Sequence, residues 1–278
     1  MAVPTSSPIL RRAVVATGVA LAAASLVVLL VTSPAGVATS RDAGAPTVPL
    51  PFIIGPSVVG IALALLIPPR DRRLPVRPDR RGRLLATTAV LVAIVILFPL
   101  VVGVAGIGGE DYVLLKMLLL VVVPLVAVRI ERSWTAWRWW APVAVVAVWA
   151  LLRGLVTDMP DYSAVPSADL LIAATATAIT AGFGEELLYR RLLQTRLEAL
   201  LGGWPGIVLA SLAFALMHLG SHGGGNPVVD IASVIVVQGG FGLLMGVLWW
   251  RFRNLPLIVA AHVLANGWPE IVLHVLTR

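Results

Sequence analysis

Two adjacent carboxylates, Glu185 and Glu186, stand at the end of an apolar run that covers residues 170–183. A charged side chain at membrane depth costs about 2.5–3.5 kcal/mol on insertion scales, so carboxylates in such a run are functional candidates. On a helix, Glu186 and Arg190 lie four residues apart, close enough to form an ion pair. Glu185 lies about 100° from Glu186 around the helix, so its side chain faces a different part of the bundle.

Two further pairs of residues have the same four-residue spacing on separate apolar segments: Phe214 with His218, and His262 with Asn266. The members of each pair share one face of a helix. Because facing helices build ligand and metal sites in the core of a bundle, we expect Glu185 to face both imidazoles across one cavity. We expect Phe214 to pack against His218 and orient it.

This set of side chains permits two kinds of hydrolysis by an activated water. Glu185, His218 and His262 could bind one divalent metal ion, zinc first, with one position open for water. They could equally act without a metal, with Glu185 as the general base and a histidine as its partner. In either case the amide of Asn266 is placed to donate to a tetrahedral oxyanion.

The motifs that are missing narrow the class of enzyme. The sequence has no cysteine, which excludes disulfides, thiolate metal sites and a cysteine nucleophile. It contains no HExxH motif and no evident Ser/His/Asp arrangement, which disfavours the common protease classes.

The composition predicts a membrane protein. The 278 residues are 59% hydrophobic and 13% charged, whereas a soluble domain has about 25% charged residues. The net charge of +7 does not indicate binding of nucleic acid, because the arginines fall in short loops between apolar segments. That distribution is typical of the cytoplasmic loops of membrane proteins.

We predict an all-α fold, a polytopic transmembrane bundle of about nine spans. Six spans are expected at residues 13–32, 50–68, 84–107, 112–128, 169–201 and 227–250. Of the other three, the fifth ends near residue 156, the seventh begins near residue 207 and the ninth begins near residue 257. With the N-terminus inside and the C-terminus outside, the inside loops hold 17 basic residues and the outside loops hold Arg41 and Arg278. The first span could alternatively be a signal peptide, but its apolar run is longer than usual for one.

Local signals predict where several helices begin and end. Ser167 is the expected N-cap of the sixth helix, whose many small residues should bring neighbouring helices close. A break is expected at residues 202–206, and Asn226 should cap a helix with Pro227 in its first turn. Gly242 and Gly246 are spaced for close packing, and Pro269 should kink the last helix.

Other polar residues in the spans are expected to have no catalytic role. Lys116 and Arg153 should extend to the outer headgroups. His222 lies in a glycine-rich loop, and His274 lies near the C-terminus. Glu270 is expected to extend to the interface or to cap a helix.

In the order Glu-Glu-x-x-x-Arg, Phe-x-x-x-His and His-x-x-x-Asn, the three motifs resemble those of the CPBP intramembrane proteases. That family includes the type II (Rce1-like) CAAX prenyl endopeptidases and related bacteriocin-processing or immunity proteins. The resemblance covers residues 172–275 and implies a helical bundle whose cavity opens to the cytoplasm. It assigns water activation to Glu185, essential roles to His218 and His262, a supporting pair to Glu186 and Arg190, and oxyanion stabilisation to Asn266.

We therefore predict an intramembrane endopeptidase in the cell membrane, with its N-terminus in the cytoplasm. Residues 169–278 form the catalytic domain, with the cavity in the last four helices, and residues 1–168 form an N-terminal region of five helices. The expected partners are the lipid bilayer and a membrane-associated substrate such as a prenylated protein or a leader peptide. The alternative is a non-enzymatic scaffold, an immunity protein or a small-solute transporter. A transporter should show inverted repeats with broken helices, and a degenerate scaffold should have lost some of the six motif residues, all of which are present.

The depth of His218 is difficult to reconcile with these spans. Glu185 and His262 are expected near the inner ends of their spans, whereas His218 lies about 12 residues, or roughly 18 Å, into its own span. Either the seventh helix begins near Trp204, inside the cytoplasm, or the cavity is deep.

Overall fold

The computed structural model describes most of the chain: residues 6–38, 47–68, 81–128, 140–156, 162–163, 165–219 and 226–277. Some features of the sequence lie outside these residues. They are most of the arginine-rich loop at 70–83, the tryptophans at 134, 137 and 139, and the glycine-rich loop with His222.

The N-terminal half of the described chain contains five helices and a small hairpin. The helices are α1 (Pro8–Thr32), α2 (Leu50–Leu66), α3 (Arg81–Ala105), α4 (residues 109–127) and α5 (Trp140–Gly154). Within α4 one π-helical stretch, Leu118–Val122, interrupts the α-helical winding. Between α1 and α2, strands β1 (Val37–Ala38) and β2 (Thr47–Val48) pair antiparallel, a hairpin that the apolar pattern did not predict.

The C-terminal half contains the helices that carry the three motifs. They are α6 (Ser167–Leu201), α7 (Gly203–Leu216), α8 (Pro227–Phe252), α9 (Leu255–Ala265) and α10 (Trp268–Leu276). The predicted cap of α8 is confirmed, because the Asn226 side chain accepts a hydrogen bond from the Val228 N–H at 3.0 Å. The break after α6 is also confirmed, at Gly202 with φ +98°.

Helix length divides the predicted spans into two groups. In the described residues four helices, α1, α3, α6 and α8, are long and apolar enough to cross a membrane, and α9 with α10 makes a fifth if the bent pair is one span. The apolar helices α2, α5 and α7 have 10–17 residues. The 14 residues of α7 rise about 21 Å, less than the ~30 Å hydrocarbon core. The all-helical membrane fold is confirmed, while the number of nine spans and their orientation stay predictions.

One predicted helix boundary was wrong, and one predicted bend is present. Pro166 is the N-cap of α6 and Ser167 is its first helical residue, so no side chain caps this helix. The last segment breaks at Gly267, where φ is +77°, and α9 and α10 meet at 58°. Pro269 lies in the first turn of α10, where its missing N–H costs no hydrogen bond. The predicted bend is present: Gly267 adopts the left-handed conformation, and Pro269 has no N–H with which a continued α9 could bond the Ala265 carbonyl.

The two halves of α6 differ in burial. From Ser167 to Thr177 only Leu170 and Ala174 are buried, so most of the small residues expected to bring helices together are not buried in this bundle. From Ala178 to Gln194 most side chains are buried, and this half packs against α3, α4, α7, α8 and α9. The core of the bundle therefore surrounds the half of α6 that carries the charged motif.

Candidate active site

Glu185, Glu186 and Arg190 lie in the π-helical segment Ala178–Gln194 of α6. Such winding is rare and is frequently found at functional sites. The three side chains have exposed fractions of 1%, 0% and 1%. Buried charges need partners, and each of these residues has at least one.

Glu186 connects α6 to α9. Its Oε1 lies 2.6 Å from Nδ1 of His262 and 3.3 Å from Nη1 of Arg190. A carboxylate can only accept hydrogen bonds, so the imidazole Nδ1–H donates to it. The ion pair expected from the four-residue spacing is present, and Glu186 also holds the histidine of another helix.

Arg190 is fixed by a carbonyl group and an aromatic ring. Its Nη2 donates to the Gly242 carbonyl at 3.3 Å, and its guanidinium lies 4.2 Å from the ring centre of Phe214. A Cβ at Gly242 would lie 3.2 Å from Cδ1 of Phe214 and 3.4 Å from Nη2 of Arg190. The close packing predicted for Gly242 therefore makes room for this arginine.

His218 lies in the turn that follows α7. Its Nδ1 donates to the Phe214 carbonyl at 2.8 Å, and the two rings are 4.8 Å apart. Because the carbonyl can only accept, Nδ1 carries the proton, and Nε2 holds the lone pair when the ring is neutral. The helix begins at Gly203, and its position relative to the membrane, on which the two explanations for the depth of His218 differ, stays a prediction.

His262 lies in α9 and is held in the same way through Nδ1, here by Glu186. Its Nε2 lies 3.8 Å from Oε2 of Glu185, beyond direct hydrogen-bond distance. The rings of Phe241 and Phe214 pack against the imidazole with centroids at 5.0 and 6.0 Å. Phe214 therefore contacts both histidines as well as Arg190, which extends the packing role predicted for it.

Glu185 is paired with a residue that the sequence did not place in the site. Its Oε1 lies 2.5 Å from Nζ of Lys116 on α4, and its carboxylate interacts electrostatically with both His218 and His262. Lys116 is only 7% exposed. The expectation that Lys116 extends to the outer headgroups was wrong, because a buried carboxylate holds its ammonium group inside the bundle.

Nδ2 of Asn266 and the hydroxyl of Tyr189 are buried close to the motifs and have no hydrogen-bond partner among the described residues. Buried polar groups are normally paired, so unsatisfied ones call for an explanation. Asn266 follows His262 by one turn, as predicted. Tyr189 was missed, although its position four residues after Glu185 could have suggested it.

The arrangement does not fit a metal centre of two histidines and one glutamate. Within the described ranges no group of three or more His, Asp or Glu side chains could hold a metal ion. The Lys116 ammonium, 2.5 Å from Oε1 of Glu185, occupies one side of the carboxylate that would bind the cation. Zinc binding by Glu185, His218 and His262 stays an untested prediction.

The remaining polar residues of the last helices belong to a different cluster. The ring of His274 packs against Tyr162 with centroids 5.8 Å apart. Nη1 of Arg153 donates to the Leu264 carbonyl at 3.3 Å, and Arg153 interacts electrostatically with Glu270. These contacts connect α5 to α9 and α10.

A comparison with protein families matches residues 167–268 to the family described as type II CAAX prenyl endopeptidase, Rce1-like. The match begins at the first residue of α6 and ends just after the break that follows α9, so it contains all three motifs. It does not include α4 or Lys116. No curated protein and no solved structure matches the chain significantly.

Proposed function

We propose that this protein is an intramembrane endopeptidase, because residues 167–268 match the family described as type II CAAX prenyl endopeptidase, Rce1-like. Its substrate is a membrane-associated protein or peptide, and prenylated proteins are the first class to test. The observation that carries the proposal is the position of Oε2 of Glu185, 3.8 Å from Nε2 of His262. A carboxylate and an imidazole are thus neighbours without being bonded to each other, inside a buried site.

In the proposed reaction Glu185 is the general base. Its Oε2 takes a proton from a water molecule as the water oxygen bonds to the carbonyl carbon of the scissile peptide. The Asn266 amide donates a hydrogen bond to the oxyanion that forms. Glu185 then gives the proton to the leaving amine as the C–N bond breaks, which regenerates the carboxylate.

The two histidines orient the reactants in this scheme. Each has its Nδ1 bound, His218 to a backbone carbonyl and His262 to Glu186. Rings fixed in this way need little reorganisation during the reaction, which is how a pre-organised site lowers a barrier. The unsatisfied amide of Asn266 supports its role, because a donor kept for the oxyanion has no partner in the resting site.

The proposal is tested with the purified full chain in lipid vesicles. The probe is a farnesylated peptide that ends in a CAAX sequence, and mass spectrometry detects a new C-terminus. We expect cleavage by the wild type and none by Glu185→Gln, with the same peptide lacking the prenyl group as the matched control. Equal cleavage by both proteins would refute the role of Glu185, and an intact peptide with the wild type would remove prenylated proteins as the substrate class.

We further propose that water activation needs no metal, because the Lys116 ammonium lies against Oε1 of Glu185, where a metal ion would bind. Dialysis against a zinc chelator should leave the cleavage rate unchanged, and elemental analysis of the purified protein should find far less than one metal ion per chain. A rate that falls on dialysis and returns with zinc would contradict this and favour a metal centre.

We also place the protein in the cell membrane with its N-terminus in the cytoplasm. The chain has no cysteine, and a Cβ at Gly82 or Gly108 would meet no other atom within 4 Å. A maleimide that cannot cross membranes should therefore label Gly108→Cys in intact cells, but label Gly82→Cys only after lysis. The opposite pattern would reverse the orientation.

A further inference from the structure

Lys116 is the single lysine among the 21 basic residues of the sequence. The other 20 are arginines, including those of the loops. Its Nζ lies 2.5 Å from a carboxylate that is itself only 1% exposed. The chain thus uses its one compact, single-point cation at the carboxylate that the proposed reaction needs.

The surroundings of Lys116 hold it at this position. The Tyr112 ring lies one turn earlier on α4, with its centre 5.5 Å from Nζ, and it packs against Phe98 of α3 at 5.7 Å. On the other side, α4 lies against α6 directly beside Glu185. A Cβ at Gly184 would lie 3.1 Å from Cγ2 of Val121, so the residue before Glu185 is a glycine where α4 comes closest.

The charges of the site balance in two pairs. Glu186 faces Arg190 at 3.3 Å and Glu185 faces Lys116 at 2.5 Å. The first pair lies entirely within α6, whereas the second joins α6 to a helix outside residues 167–268. An isolated buried charge is strongly unfavourable, so the ionised form of Glu185 depends on α4.

We propose that Lys116 is a positioning residue for Glu185, and that α4 thereby completes the active site. Lys116 holds Oε1, which leaves Oε2, on the side of His262, to act as the base. It keeps the carboxylate ionised without touching the substrate. This inference rests on the proposed function and extends it, because it assigns a role in the reaction to the N-terminal half of the chain.

The ion pair is tested first by a measurement that needs no activity. Melting temperatures of the full chain in detergent are compared for Lys116→Met, Glu185→Gln and the double variant, with Lys116→Met/Glu186→Gln as the matched control. We expect the variant that removes both members of the pair to melt above Lys116→Met, and the control to show no such recovery.

A double variant no more stable than Lys116→Met would overturn the proposal. If Lys116→Met yields no folded protein, the yields of the two double variants replace the melting temperatures. If only the double variant that contains Glu185→Gln folds, the result supports the ion pair. If neither double variant folds, the result overturns the proposal.

The positioning role is tested by measuring kcat and KM for the farnesylated peptide substrate, with the rates divided by the concentration of folded protein. Because a misplaced catalytic group can cost about 10²-fold, we expect Lys116→Met to lower kcat by about that factor with KM unchanged. We expect Lys116→Arg, which keeps the charge, to recover most of this loss. A Lys116→Met variant with the wild-type kcat would show that the lysine is structural only and would overturn the inference.

These outcomes are separate from a failure of the proposed function. If Glu185→Gln cleaves as fast as the wild type, the proposed function fails, while recovery in the double variant would still establish the ion pair. If Glu185→Gln is inactive and Lys116→Met is fully active, the function stands and the role of Lys116 is refuted.

Discussion

The two sides of α6 hold adjacent carboxylates in different ways. Towards α8 and α9, Glu186 bonds to His262 at 2.6 Å and pairs with Arg190, which in turn reaches a carbonyl of α8. Towards α4, Oε1 of Glu185 pairs with Lys116, and its Oε2 lies 3.8 Å from Nε2 of His262. Oε1 of Glu186 contacts two side chains that belong to other motif positions, while its Oε2 has no hydrogen-bond partner among the described residues. Glu185 has one oxygen paired with Lys116 and one oxygen beside a histidine.

This difference separates a scaffold role from a chemical role within one motif. Protonation of Glu186 would remove the negative charge that pairs with Arg190 and accepts from Nδ1 of His262, so a supporting role suits this carboxylate. Oε2 of Glu185 lies 3.8 Å from Nε2 of His262 and holds no side chain in place, so this oxygen is the better candidate to take up a proton. Substitutions on the two sides of α6 test this division.

Glu185→Gln should lower peptide cleavage by roughly 10²–10⁴-fold, the usual contribution of a general base. The amide keeps the shape of the side chain and can still accept from Lys116, so the protein should fold, but with a lower melting temperature because the buried Lys116 charge loses its partner. The cleavage rate in vesicles and the elution volume in detergent measure the two effects. An inactive protein that has also lost its folded elution peak would assign Glu185 to the scaffold.

Glu186→Ala and Arg190→Ala should each reduce both stability and cleavage. Each leaves a buried partner charge uncompensated, which costs about 3–5 kcal/mol. Thermal unfolding in detergent measures the stability. The control is Glu110→Ala, which removes the same kind of carboxylate from an exposed position in α4. If Glu186→Ala left cleavage untouched, the supporting role of this pair would be wrong.

Asn266→Ala should lower cleavage by about 10²–10³-fold, the usual effect of removing one oxyanion donor. Stability should change little, because Nδ2 makes no hydrogen bond within the described residues. Melting temperature and kcat are measured on the same preparation. A loss of stability in proportion to the loss of cleavage would instead identify Asn266 as a structural residue.

Gly182→Ala should have the smallest effect on the site. The new Cβ would lie 2.7 Å from Cγ2 of Val263, next to His262 on α9, and such overpacking costs about 1–3 kcal/mol. Gly240→Ala is the matched control, since its Cβ would meet no atom within 4 Å. Cleavage by Gly182→Ala should fall below that by Gly240→Ala, and equal rates would show that α9 can move without affecting the chemistry.

The helices and most of the motif geometry could be predicted from the sequence. Long apolar runs determine where helices form, and the break at Gly202 and the cap at Asn226 depend on local chemistry that single residues reveal. Four-residue spacing predicted the ion pair of Glu186 with Arg190. These features are local, so neighbouring residues contain the necessary information.

The features that could not be predicted depend on contacts between distant segments. Lys116 and Glu185 are 69 positions apart, and a lysine in an apolar run gives no sign of whether it reaches a headgroup or a carboxylate. The π-helical winding lies in the part of α6 that packs against five other helices, contacts that the local sequence does not reveal. The bend before α10 was predicted from Pro269, but the left-handed conformation of Gly267 beside it was not.

The most direct test of the central claim compares the termini of membrane proteins in cells that make the wild type or Glu185→Gln at equal levels. We predict new termini that appear only with the wild type, which would establish an endopeptidase and identify its substrates. Identical termini in both cells, with any growth phenotype rescued equally by the variant, would contradict the account. The three motifs would then serve the architecture of a scaffold.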